Sequence, residues 1–287
     1  LAISPWHLQF TRGAWEAGIS LTLTVAGIYF FLRALRDKER YFIFSVLCFA
    51  LTPWTYQGAK SSTVIIIVGL IALFYQGLAG LSRRALFKGV VLGLIISLPI
   101  LISVFEGKTG RIKVFSLLSY KRPDEYVQQV LEQDETSKNS WQYFLYHSEP
   151  LYFASGVIAR WTHHFSGRFL FFEGDWANKR HSVPNNGVLL VLDSIFLIAG
   201  LVVLARLVPK AQILFLAFWL FSSPLPAALS RDEIHGVRSF NMVAPLAIIM
   251  ALGASCLLQW VRRSGKFIKI ILFIFLLSYL ANFIYYL

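Results

Sequence analysis

Long apolar runs separated by short polar stretches organise this chain. Crossing a hydrocarbon core in helical form takes roughly 20 predominantly apolar residues. Segments at 17–35, 41–56, 62–81, 86–105, 188–208, 211–229, 241–261 and 267–287 reach or approach that length, 41–56 being the shortest. The pattern predicts an all-α fold, a polytopic transmembrane helical bundle of about eight spans. A single long connection divides it into three blocks: 1–105, a mouth segment plus four spans; 106–187; and 188–287, four further spans.

Within 106–187 the periodicity changes. Pro123, Asp124 and Glu125 open a stretch with Tyr126, Val127, Val130 and Leu131 at helical spacing, acids at its start as a helix N-terminus favours. Residues 150–165 place Leu151, Ala154, Ile158, Trp161 and Phe165 on one face, the pattern of an amphipathic helix lying in the membrane interface. The segment 167–186 mixes turn residues and aromatics with Glu173, Asp175, Arg180 and His181, and reads as a substrate-facing loop more than a packing element.

Composition agrees with a bilayer as solvent: 56% apolar residues, only 15% charged, mean hydropathy +0.61. The net charge of +12 does not point to nucleic acid, because the basic residues form no single stripe. They alternate instead. Arg33, Arg36, Lys38 and Arg40 follow the first span, Arg83, Arg84 and Lys88 the third, Arg206 and Lys210 the fifth, and Arg262, Arg263, Lys266 and Lys269 the seventh. The short connections of opposite parity hold only Arg12, Lys60, Arg231 and Arg238. By the positive-inside rule the clustered loops face the cytoplasm. All six histidines then fall outside, with every acid except Asp37 and Glu39, Asp193 sitting near the outer end of the fifth span. Pro53, Pro99, Pro224, Pro226 and Pro245 lie in the outer portions of their spans, as ordinary helix ends or as broken tips around an outward cavity. The expected setting is a plasma membrane, bacterial in type, with the working face outward. Cys48 and Cys256 sit in separate apolar runs and suggest neither disulfide nor thiolate metal site.

Three constellations carry candidate chemistry. At the mouth of the first span, His7, Gln9, Arg12 and Glu16 exceed what a Trp anchor needs and suit polar cavity lining. In the loop 230–238, His235 and Arg238 would share a face if the segment is helical, and together could bind phosphate by charge-assisted bonds. The third group is His163, His164, His181, Glu173, Asp175 and the neighbouring Arg180, whose spacing matches no defined metal site, so no metal is expected. Lys60 is either a snorkelling anchor or a phosphate contact. No phosphate loop, nucleophile elbow or metalloprotease helix occurs in the sequence.

The stretches ISPWHLQFTRGAWEAG, FLFFEGDWANKRHSVPNNG and DEIHGVRSFNMVAPLAII, in that order, resemble bacterial members of the membrane-embedded GT-C glycosyltransferases. They look most like family 39, the dolichyl-phosphate-mannose-protein mannosyltransferase-like group. The resemblance implies a mannosyltransferase-like enzyme of cell-envelope glycosylation. It would take a polyprenyl-phosphate-linked sugar as donor substrate, a protein, lipid or glycan as acceptor, and invert the transferred sugar. It implies no firm cofactor and no divalent metal. An acid in the family's first outer loop serves as base, and that loop would lie upstream of Leu1. The chain is therefore expected to be a fragment lacking the N-terminal part, continuing beyond Leu287, and inactive alone. Cations at the membrane surface would stabilise the departing phosphate; Arg12, Lys60, His235 and Arg238 are placed to do so by side and charge. Two other readings stand beside it: a transporter or flippase for lipid-linked or anionic envelope precursors, and a non-catalytic envelope assembly protein.

Overall fold

The computed structural model of the chain describes residues 3–13, 15–106, 122–135 and 137–286. Among these, every regular element is helical. In chain order they are α1 (Pro5–Arg12), α2 (Glu16–Arg36), α3 (Tyr41–Thr55), α4 (Ala59–Ala79), α5 (Arg83–Phe105), α6 (Asp124–Gln133), α7 (Glu149–His163), α8 (Asp193–Leu207), α9 (Lys210–Ser222), α10 (Leu225–Ala228), α11 (Val243–Arg263) and α12 (Lys266–Tyr286). Two π-helical turns, Tyr143–His147 and Arg168–Phe172, and a 3-10 turn, Phe240–Met242, complete the set.

All eight apolar segments contain helix, but only six helical segments among the described residues are long and apolar enough to cross a membrane. The two exceptions have separate causes. The helix α3 has 15 residues, short of a full crossing. The predicted fifth span begins five residues late, at Asp193, because Val188 and Leu189 donate their backbone N–H groups to the carbonyls of Phe169 and Leu170. The apolar run 188–192 is spent on burying a loop, not on lengthening a helix. The segment 211–229 breaks at Pro224 into α9 and α10, which together make one crossing unit, Lys210–Ala228. The predicted helices at 125–135 and 150–165 are present as α6 and α7, whereas residues 107–121 and 136 of the long connection lie outside the described residues.

The packing differs from that of a water-soluble bundle in its outer face, which is as apolar as the core. Helix α2 buries Ala17, Ser20, Thr24, Gly27 and Ala34 among larger residues, and Ser45 of α3 donates its hydroxyl to the Gly27 carbonyl at 2.8 Å. Helix α4 turns Ser62, Thr63 and Gly69 inward while Val64, Val68, Ile71 and Tyr75 stand exposed. On α12, Ile270, Phe273, Ile274, Leu277 and Leu280 are all exposed, and Tyr286 is the buried residue of that helix. In water such apolar surfaces would drive association; in lipid they are the solvated face, and small or hydroxyl residues at helix contacts allow close approach. These six crossing segments and their outward apolar faces mark a helical membrane protein.

A very close crossing joins α8 and α11. A Cβ on Gly200 would overlap the Ile249 carbonyl, and one on Gly253 would overlap the Phe196 carbonyl and the Gly200 nitrogen. Only glycine permits backbones this near. Asp193, at the start of α8, accepts hydrogen bonds from Tyr279 Oη at 2.8 Å and from the Leu190 N–H at 2.9 Å. It pairs with neighbours, as an acid at shallow membrane depth must.

The loops sort to two ends. At one, the Ser82 N–H donates to Glu39, joining two of the basic-cluster connections. At the other, Tyr286 donates to the Pro5 carbonyl, Trp161 donates to the Phe221 carbonyl, and the 164 and 235 segments meet. That second end carries the candidate site.

Candidate functional site

The core beneath the second end is aromatic. Helix α1 is fastened by the Trp6 N–H donating to the Val188 carbonyl at 3.1 Å. Its buried face inserts Trp6 and Phe10. Trp6 meets Phe169 and Phe240 edge-on, and Phe10 meets Phe240 in the same way. Phe169, Leu170, Asp175 and His181 of the segment 167–186 are buried and anchor it to this core, while about half of its residues stay exposed. Its exposed residues include Arg168, Glu173, Asn178, Lys179 and Arg180.

On this floor Asp175 forms a tie between two loops. Its side chain is 0% exposed. It accepts from His181 Nδ1 at 2.8 Å, from the Gly236 N–H at 2.7 Å and from the Asn178 N–H at 3.0 Å. The His181 side chain is buried too, with Trp15 and Phe10 edge-on to its ring. The His235 ring lies 4.9 Å from it, centroid to centroid. One ligand atom from each of Asp175, His181 and His235 falls within 4.8 Å of the other two.

His164 supports this group from below. Its Nδ1 lies 2.8 Å from the Arg160 carbonyl, which can only accept, so the proton is on Nδ1 and Nε2 faces the His235 N–H at 3.4 Å. Burial, foremost, pulls the His164 pKa down to about 4. Burial followed by the charge of Arg238 pulls His235 to about 3. Both are neutral at physiological pH.

Residues 231–239 form bends and turns outside any of the helices; the Ser239 N–H donates to the His235 carbonyl at 3.2 Å, and the Arg238 N–H points to His235 Nδ1 at 3.3 Å. A neutral, 12% exposed His235 cannot hold an anion by charge. The cation here is Arg238, whose guanidinium donates to Asp232 at 3.0 Å.

The other candidates disperse around the group. His7 is half-buried and stacks on Phe240, its pKa lowered by burial foremost. Gln9 is half-buried on α1, and Arg12 and Glu16 are exposed. Glu173 pairs with Arg168 at 2.7 Å, and that guanidinium lies 4.2 Å from the Trp176 ring centroid. Lys60 lines an apolar cavity of about 570 Å³ between α3, α4 and α5.

Sequence reasoning missed Tyr56. It lines a small polar cleft with Gly58, Ser62, Arg238 and Asn241, and has Arg238 and Glu16 as charged neighbours. Nothing in a tyrosine at a span end signals that contact. The first turn of α4 thus divides two environments, Lys60 and Thr63 on the apolar cavity, Gly58 and Ser62 on the polar cleft. No family model, curated protein or solved structure matches the chain.

Proposed function

We propose that the chain is a membrane glycosyltransferase that moves a sugar from a polyprenyl-phosphate-linked donor to an acceptor on the outer face of the membrane. The supporting observation is the pairing of the apolar cavity with the polar cleft across one turn of α4. The cavity's volume lies in the range of small-molecule sites, and Phe49, Ile67, Leu70, Leu94 and Leu101 are among its lining residues. In this reading the isoprenoid chain lies among α3, α4 and α5 with its phosphate at Lys60, and the cleft of about 10 Å³ beside Arg238 opens on binding to bring the second cation to the head group. In transfer, an acceptor hydroxyl gives its proton to a carboxylate general base and attacks the anomeric carbon as its bond to the phosphate oxygen breaks, leaving polyprenyl phosphate as an anion. Cations fixed at that point stabilise the charge as it develops.

The test is sugar transfer in proteoliposomes by the full-length protein that contains this chain, with long-tailed and short-tailed donors. Lys60→Ala and Arg238→Ala are each expected to slow transfer about ten- to a hundredfold, as for loss of a charge-assisted contact. Ser97→Trp, which fills the cavity, is expected to slow the long-tailed donor far more than the short-tailed one. Absence of transfer by the wild type, or equal response of both donors to Ser97→Trp, would overturn the reading.

One observation favours a second reading. The cavity is lined from Pro53 and Lys60 at one end to Leu78 and Leu86 near the other, as a path for lipid translocation would be. Labelled lipid that crosses the bilayer without losing its sugar would select that flippase.

A further inference from the structure

We propose that Asp175, His181 and His235 form a binding site for one divalent transition-metal ion, with zinc as the first choice. The site stands on geometry, not on a sequence motif, and does not depend on sugar transfer.

Two imidazoles and a carboxylate converge here, each offering one ligand atom within 4.8 Å of the others. Bond lengths of about 2.0–2.2 Å in a tetrahedral site place ligand atoms roughly 3.3 Å apart. The nearest pair, His181 Nδ1 and Asp175 Oδ2, stands at 2.8 Å and would open by about half an ångström. The widest separation would close by about 1.5 Å, within reach of small side-chain rotations. Imidazole and carboxylate together suit zinc or another first-row ion better than magnesium or calcium, which prefer oxygen alone.

The surroundings resemble those a metal site needs. The carboxylate is oriented by the Gly236 and Asn178 N–H groups, and the 235 backbone is held by His164. Such outer contacts fix ligand direction and raise affinity. The walls are apolar, Phe10 and Trp15 standing edge-on to His181. His181 and Asp175 come from one loop and His235 from another, so a bound ion would join both across the same seam that the Asp175 hydrogen bonds already close.

The binding step balances without a redox partner. The ion replaces the His181 Nδ1–H···Oδ2 hydrogen bond with one bond to each of those atoms. The imidazole proton moves to the other ring nitrogen, so His181 stays neutral, and His235 contributes the Nδ1 lone pair, giving up its 3.3 Å contact with the Arg238 N–H, or that of Nε2 after its proton moves to Nδ1. The carboxylate's single negative charge partly offsets the ion's two positive charges. Three protein ligands leave a tetrahedral ion one position for water or a substrate oxygen.

The experiment uses the whole chain in detergent, stripped with a chelator and titrated with Co²⁺, whose visible absorption reports coordination. The wild type is expected to bind one equivalent and show the intense bands of a four- or five-coordinate ion, bleached by one equivalent of Zn²⁺. His181→Ala and His235→Ala are each expected to weaken binding at least about tenfold, while His163→Ala and His147→Ala leave it unchanged. Zn²⁺ should also raise the Tm of wild type but not of Asp175→Asn, a variant that keeps the side chain's shape. Less than stoichiometric Co²⁺ binding by the wild type would overturn the site, whatever the variants do. So would a signal lost in His163→Ala or His147→Ala but retained in His181→Ala, which would identify surface histidines as the ligands.

Discussion

Gly253→Ala is expected to destabilise the protein by about 3 kcal/mol, the upper part of the range for overpacking by a single methyl group. The added carbon would meet the Phe196 carbonyl and the Gly200 nitrogen, both backbone atoms. A side chain can rotate away from a clash, but a helix backbone moves only as a rod. Helices α8 and α11 must therefore separate along their length, which loosens the packing that supplies most of the association energy in lipid. The consequence extends beyond the crossing. Asp193 begins α8, the 188–190 segment leads into it, and α1 is fastened to Val188. A shift of α8 would thus reach the floor under His181. Thermal unfolding in detergent should show a fall of roughly 6–12 °C, taking a few degrees per kcal/mol for a chain of this size. Gly265→Ala provides the contrast, since a Cβ there meets nothing within 4 Å. Equal Tm values for the two variants would show that the α8–α11 contact is loose enough to admit a methyl group.

The membrane-crossing part of the fold was legible because lipid imposes a simple condition. Every backbone group must be satisfied within its own segment, so apolar runs become helices, and each of the eight runs contains one. The same simplicity hides where each helix begins and ends. An apolar run says that residues avoid water, not which apolar medium they enter. Leu189 and Leu190 satisfy it beneath a loop as well as in a span. Helix α3 stops at 15 residues although α2 and α4 beside it are long enough to cross. Hydropathy counts residues and cannot see that difference.

The candidate site was legible in its members but not in its wiring. Asp175, His181, His235 and Arg238 were identifiable as chemistry-bearing residues in the loops. Their convergence was not, because Asp175 and Gly236 lie 61 positions apart in loops without periodicity. Burial of particular residues was also hidden: the polar, turn-rich composition of 167–186 suggested exposure, which about half of the segment has, but not that Asp175 and His181 are drawn inward beside Phe169 and Leu170. His235 shows the cost of missing that. Exposed beside Arg238 it would be a titratable partner for phosphate; in place, it is neutral and packed against another imidazole.

Asp175→Ala is expected to unfasten the two loops while leaving the bundle assembled. The substitution removes the acceptor for the Gly236 N–H, the Asn178 N–H and His181 Nδ1, and the bonds to Gly236 and His181 are buried. A buried donor left without a partner costs about 1–3 kcal/mol, so these two should lower local stability by roughly 2–4 kcal/mol after water enters to relieve part of the loss; the Asn178 N–H keeps the Asp175 backbone carbonyl as an acceptor at 3.1 Å. None of the three belongs to α2, α3, α4 or α5, which should hold their packing. Hydrogen exchange separates these outcomes. Protection of amides around 174–182 and of Gly236 should fall steeply in the variant, with α2–α5 amides unchanged. Asp175→Asn should lie between, because its carbonyl oxygen still accepts while its NH₂ faces one of the donors. Under the proposed function, sugar transfer should fall with the same ranking, since Arg238 lies two residues beyond the Gly236 anchor. Wild-type protection at Gly236 in Asp175→Ala would show that some other contact holds the loops together and that this carboxylate is not their tie.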